Sequence, residues 1–438
     1  MPSDAMHLHV TQERSGEGTR RTLHLEGLHD PQRRAISAFF DMVGEFDLRP
    51  PELLDGFMFG IIMYAMRLGQ NIRVHGTLSR QAIRNCYELQ DAWALWNPGM
   101  YHKIHIEPDA SVSVAQTSGE EEAIAAYSGG VDSTFTLLRH AAGRLGLASY
   151  PLKRTVLLVH GFDVPLAKPE DLEALRQRFA PLLDELGLEA RILRTNLKEL
   201  DLQRWQDSFM TQLACCLHNY SHEFGYGLVA SSKAYDSLLL PVGSSPATDH
   251  LLSGATLSIV HDGAGYSRTE KVEEIARNAT ATRVTKVCWE GSETYRNCGV
   301  CDKCVRTLLN FRAVGVSNPA CFEGQRDLQQ LIANVGMTSY SMCMELESII
   351  AYAHTHAVTD PWVAALERRV ARYEIEMAEV NNGRLRNAWG MARRGEWRRL
   401  AAKLRDKFPR GRLTMPARPS FTERSRTVVE KIAQAPLE

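Results

Sequence analysis

Residues 124–133 of the chain read IAAYSGGVDS. An apolar run enters a Ser-Gly-Gly turn, and a helical pattern starts at once, with Phe135, Leu137, Leu138, Ala141 and Leu145 at helical spacing. A strand, a glycine turn and a helix start are compressed into a few residues, which constrains the fold strongly. They aim a helix N-terminus, with its free backbone N–H groups, past the carboxyl end of a strand.

The same alternation continues downstream. Strands are expected at 124–128, 155–162, 190–196 and 227–232, with helices at 132–146, 169–186 and 205–224 between them. A fifth unit follows, a strand at 257–263 and a helix over SRTEKVEEIAR. Such βα units predict an α/β fold with a doubly wound parallel sheet covered on both faces. Ligands of these sheets bind outside the strands' carboxyl ends. The Ser-Gly-Gly turn, His160 to Asp163, Arg194 to Asn196 and Ser231 to Lys233 are expected there. Ser232 and Lys233 are pocket candidates by position alone.

Around this core, spanning 121–315, the chain carries two further regions. Residues 1–120 read as an N-terminal α+β domain of unassigned role. It has a hairpin over 6–28, helices at 31–44 and 51–68, a strand at 71–76, a helix at 78–96 and a strand at 101–108. It shows no clustered reactive residues. Residues 316–438 read as helical and end in a basic stretch, with fifteen Lys and Arg against four Asp and Glu over 384–431. A helix packed on its own domain with a solvated basic face is favoured there over docking to nucleic acid or an anionic surface.

Overall charge gives no partner, since 51 Lys and Arg meet 52 Asp and Glu. The opening MPSDAMHLHVTQER is too polar for a secretory signal. The longest apolar run, GFMFGIIMYAM at 56–66, is too short to span a bilayer and reads as a buried helix. Nine cysteines without a signal predict a reducing, cytoplasmic setting and suggest metal where they cluster.

Two motifs carry chemistry. Ser128, Gly129, Gly130, Val131, Asp132 and Ser133 form a phosphate cradle in physical terms. The glycines let backbone approach an anion, and N–H groups with the helix dipole stabilise its charge. Ser128 and Ser133 add hydroxyl donors, and Asp132 is a candidate Mg²⁺ ligand. The loop lacks the lysine of GxxxxGK[ST], which argues against γ-phosphate transfer. The second motif is Cys288, Cys298, Cys301 and Cys304, spaced Cys-x9-Cys-x2-Cys-x2-Cys with Gly299 at the turn. Four thiolates suit a closed, structural Zn²⁺ site, with an iron–sulfur cluster as the competing reading. The remaining five cysteines read as ordinary buried residues. His261-Asp262-Gly263 reads as a turn more readily than as a metal ligand set.

SGGVDS after a strand resembles the PP-loop ATP pyrophosphatases, which have the adenine nucleotide α-hydrolase (HUP-like) sheet. SRTEKVEEIA followed by CW…NCGVCDKCVRTLLNF is similar to the 7-cyano-7-deazaguanine synthases among them. The resemblance covers roughly 123–315; the N-terminal 120 residues, the tail and the segment SSKAYDSLLLPVGSSPATDHLL depart from it. It implies ATP and Mg²⁺ as cofactors. It further implies attack by a carboxylate or carbonyl oxygen on the α-phosphate, with pyrophosphate leaving into the cradle. A C–N bond of amide or nitrile type then forms with ammonia or an amine. Asp132, Ser133 and Lys271 are the implied catalytic residues, Lys271 because it matches the lysine of the family's helix; a solvated helix lysine is the rival reading. The acceptor can be a small molecule, a protein or an RNA, and a homodimer is among the assemblies open to such a chain. PP-loop sulfur transfer to a base or small molecule is the first alternative. A nucleotide-binding module without turnover is the second.

Overall fold

A computed structural model describes residues 5–113, 122–141, 143–291, 293–324, 327–336 and 340–373. The basic stretch at 384–431 lies outside the described residues. The order begins β1 (Met6–Arg14), β2 (Gly18–Asp30), β3 (Arg33–Val43), α1 (Asp55–Leu68), β4 (Ile72–Ser79), α2 (Arg80–Trp96) and β5 (Ile106–Val112). It continues with β6 (Ala123–Ala126), α3 (Val131–His140), β7 (Thr155–His160), α4 (Pro169–Leu186), β8 (Glu189–Thr195), α5 (Trp205–His218), β9 (Tyr226–Ala230) and β10 (Ser258–Asp262). Then come α6 (Arg268–Ala276), α7 (Ala279–Val284), α8 (Asp302–Ala313), α9 (Leu328–Asn334) and α10 (Tyr340–Thr355), with residues 361–373 also helical.

All ten strands form one mixed, mostly parallel sheet, ordered β10-β9-β6-β7-β8-β3-β2-β1-β4-β5. The five strands β10, β9, β6, β7 and β8 are mutually parallel. The chain steps outward from β6 through β7 to β8, then returns to β9 and β10 on the other side. The strand order therefore reverses between β6 and β9, the place where open α/β sheets bind ligands. Side chains alternate between faces as strand geometry demands. Ile124 belongs to one core with α1, α2 and α5, while Ala123 and Ala125 belong to the other with α3, α4, α6 and α7. A third cluster joins α8 to α9, α10 and the helix over 361–373.

The N-terminal strands do not form a sheet of their own. β3 pairs antiparallel with β8 through Phe40, Asp41 and Met42, so residues 5–113 extend the central sheet and share its first core. The expected helix at 31–44 is instead β3. Ile36, Phe39, Phe40 and Val43 sit at helical spacing, yet Ile36, Ala38, Phe40 and Met42 also alternate, and these four are the buried apolar residues of the strand. Two strand partners and a core settled a pattern that periodicity left ambiguous. The strand expected at 101–108 lies further on, at Ile106–Val112, because Tyr101 and Ile104 reach the core from a loop. The run at 56–66 is a buried helix as read. No helix of the described residues is long and apolar enough to cross a membrane.

Candidate functional site

The glycine loop sits at the β6/β9 reversal. β6 ends at Ala126, and α3 begins at Val131 with Gly130 as its N-cap residue. Gly129 has φ +73°, and a Cβ there would meet the Phe179 ring at 2.2 Å, so this glycine is required by the backbone and by packing. Gly130 differs: a Cβ there would approach only Ser128 Oγ, at 3.3 Å. The fold does not need Gly130 to be small, whereas an anion lying on the loop would. The Ser133 hydroxyl donates to Gly130 O at 3.2 Å, and Lys286 N–H donates to Gly129 O at 2.8 Å.

Asp132, at the first turn of α3, is not a free carboxylate. Its Oδ2 accepts from Arg268 at 2.8 Å and its Oδ1 from Lys271 Nζ at 3.2 Å. Burial pushes its pKa up, but Arg268 and Lys271 outweigh this and hold the carboxyl below the usual range. Both oxygens face cations, so no Mg²⁺ ligand is assigned at this residue. Lys271 is 1 % exposed, which rules out a solvated helix lysine. Its ammonium also donates to Ser231 O at 2.5 Å, at the carboxyl end of β9. α6 is held in this pose by a capping box of Ser267 and Glu270.

Further cations surround the loop. Lys286 is buried and Lys303 lies over the Trp289 ring at 4.2 Å; both are electrostatically linked to Asp163. Lys233 is lowered to about 8, by burial first and then by the charges of Arg268 and Arg306. Arg306 is lowered to about 10, again by burial and then Arg268. Six cations, Lys233, Arg268, Lys271, Lys286, Lys303 and Arg306, thus meet four carboxylates, Asp132, Asp163, Asp302 and Glu345. An uncompensated buried charge is costly, and such a surplus is suited to a polyanion.

Cys288, Cys298, Cys301 and Cys304 form the second site. Their sulfurs all lie within 4.8 Å of one another. Cys288 and Cys301 are 3.7 Å apart, and Cys298 and Cys304 3.9 Å. A tetrahedron with metal–sulfur bonds of about 2.3 Å has edges of about 3.8 Å, so the set fits a metal ion such as zinc. Gly299 takes φ +72° at the turn, and the Cys301 N–H points at Cys298 Sγ, 3.3 Å away. Asn297 anchors the knuckle, accepting from Val287 N–H and donating to the carbonyls of Thr285 and Cys321. Hydrogen bonding from Cys304 pulls the Cys301 thiol down against its burial. Cys301 caps α8, which carries Lys303 and Arg306. The knuckle therefore positions two of the loop's cations.

Other candidate positions resolve into structure. His160 is buried with Nε2 2.9 Å from Pro165 O. His261 pairs with Asp249 at 2.7 Å, and Asp262 with Thr136 and His140, so neither awaits a metal. Arg194 and Asn196 are engaged by Glu17 and by Ser37 and Phe39, so the N-terminal strands close that strand end. The N-terminal region does hold a cluster that the sequence hid: the His9 and His75 rings stack at 4.2 Å, and His7 Nδ1 lies 2.9 Å from His75 Nε2. Sequence reasoning also missed Arg268, Lys286, Lys303, Arg306 and Glu345. The run Cys-Asp-Lys-Cys-Val-Arg, with cations set between ligands on one short helix, was the one available signal. No family model, curated protein or solved structure matches the chain.

Proposed function

We propose that the protein is an ATP-dependent, AMP- and pyrophosphate-forming ligase that activates a carboxylate and joins it to an amine. The observation that carries this reading is the cation surplus around a glycine loop whose Gly130 leaves room for an anion. Backbone N–H groups at the start of α3, with Ser128 and Ser133, would receive the β- and γ-phosphates. Lys271, Lys286 and Lys303 would neutralise the charge that grows as pyrophosphate leaves. A carboxylate oxygen attacks the α-phosphorus, forming one P–O bond. The bond from that phosphorus to the bridging oxygen breaks, and pyrophosphate departs with the electron pair. The amine nitrogen then attacks the acyl carbon, AMP leaves with the former carboxylate oxygen, and the amine's proton passes to solvent or pyrophosphate. Zinc in the knuckle would be structural, holding α8 in place.

One feature disfavours the sulfur-transfer alternative. The cysteines outside the knuckle are buried, and burial raises the thiols of Cys86, Cys215, Cys216 and Cys321, which suits persulfide chemistry poorly. The test is product analysis of α-labelled ATP with purified protein, candidate carboxylates and ammonium. AMP with stoichiometric pyrophosphate is expected; ADP would overturn the reaction class, and tight ATP binding without AMP would favour the sensing module.

A further inference from the structure

Beside the loop, three cations from three separate elements converge on one carboxylate. Lys233 lies in the turn after β9, Arg268 opens α6, and Arg306 lies in α8. All three contact Glu345 of α10: Lys233 and Arg306 in close ion pairs, and Arg268 at 3.6 Å. Lys233 also donates to Ser341 at 2.7 Å, one turn before Glu345. Arg268 bridges the two halves of the site, with Nη2 on Asp132 and Nη1 towards Glu345. Its Nε is buried and has no hydrogen-bond partner.

A structural triad shares one carboxylate between two cations. Here a single glutamate faces three, Asp132 is already shared with Lys271, and only Arg306 has a further acidic neighbour, Asp302. The arrangement lies outside the carboxyl end of β9, one guanidinium away from the glycine loop. α10 does not depend on this contact for its packing. Its Cys343, Leu346, Ile349 and Ala353 form an apolar stripe in the third core, so the helix has a packed face that does not involve Glu345.

We propose that Lys233, Arg268 and Arg306 form the subsite for the acceptor's carboxylate, and that Glu345 occupies it as an internal stand-in which the substrate displaces. This rests on the ligase reading and names its substrate class: a carboxylic acid presented to the α-phosphate. The C-terminal helical region thereby becomes part of the site and makes access to it competitive.

The test compares wild type with Glu345→Gln in chloride buffer, using succinate and inorganic phosphate as separate probes and melting temperature and calorimetry as readouts. Glu345→Gln should melt lower without added anion, bind succinate at least tenfold more tightly than wild type, and recover its stability on binding. The double variant Glu345→Gln/Arg306→Met should lose that gain. Succinate affinity within twofold of wild type in a folded Glu345→Gln protein would overturn the proposal. So would a gain for phosphate with none for succinate. Gly130→Val combined with Glu345→Gln keeps the two readings apart: it should abolish ATP binding and retain the succinate gain. ATP that fails to bind wild type, beside an intact succinate gain, would sink the ligase reading and leave the carboxylate subsite standing.

Discussion

The two halves of the sheet are built from the same hydrogen-bonded ladder and use it differently. In β10, β9, β6, β7 and β8 every strand runs the same way, so every strand's carboxyl end opens on one edge. The loops after β6 and β9, the start of α6 and the knuckle helix α8 all meet there. In β3, β2 and β1 the strands alternate in direction, and their connections fall on both edges. That half gathers a stacked histidine cluster and fills the end of β8 with Ser37, Phe39 and Glu17, but among the described residues it brings no cation to the loop. Parallel topology concentrates loop chemistry; antiparallel topology disperses it.

This contrast can be broken most forcefully at the knuckle. Cys301→Ser, or a strong chelator, should remove about one metal ion per chain and lower the melting temperature, because metal-binding energy is partly folding energy. ATP binding should fall with it, since α8 carries Lys303 and Arg306. Elemental analysis together with calorimetry checks this, and a metal-free protein of unchanged stability would remove the site. Next come the two glycines. Gly129→Val forces a strained φ and a clash with Phe179, and should cost about 3 kcal/mol or more in a denaturant titration. Gly130→Val should alter stability by less than about 1 kcal/mol, yet abolish ATP binding. Equal stability losses at both positions would mean that the loop is only a turn. The smallest effect belongs to the other half. His75→Ala removes a half-buried contact with His7 and should cost about 1 kcal/mol with ATP binding unchanged. A loss of ATP binding there would show that the halves are coupled.

Much of the parallel half was legible because its signals are local. α4 falls at 169–186 as read, and the strand positions hold to within a few residues. Gly129 announces its turn because few other residues adopt that backbone, and four cysteines within 288–304 need little tertiary help to meet. β3 was not legible, since Ile36 and Phe40 satisfy two periodicities and only β2 and β8 choose between them. Asp132 was readable as a carboxylate at the start of α3, though not as one whose oxygens are both held by cations.

The sequence by itself determined the strand–turn–helix with its glycines, the alternation that makes five strands of the sheet parallel, and the four-sulfur set; each depends on backbone preference or short spacing. Only the tertiary structure decided that residues 5–113 share one sheet with the rest, and that Lys233, Arg268, Arg306 and Glu345 meet. Those four come from four elements spread over more than a hundred residues, and a charge carries no mark of its partner along the chain. Their convergence is fixed by helix packing on the sheet, where desolvation makes the balance of charge count.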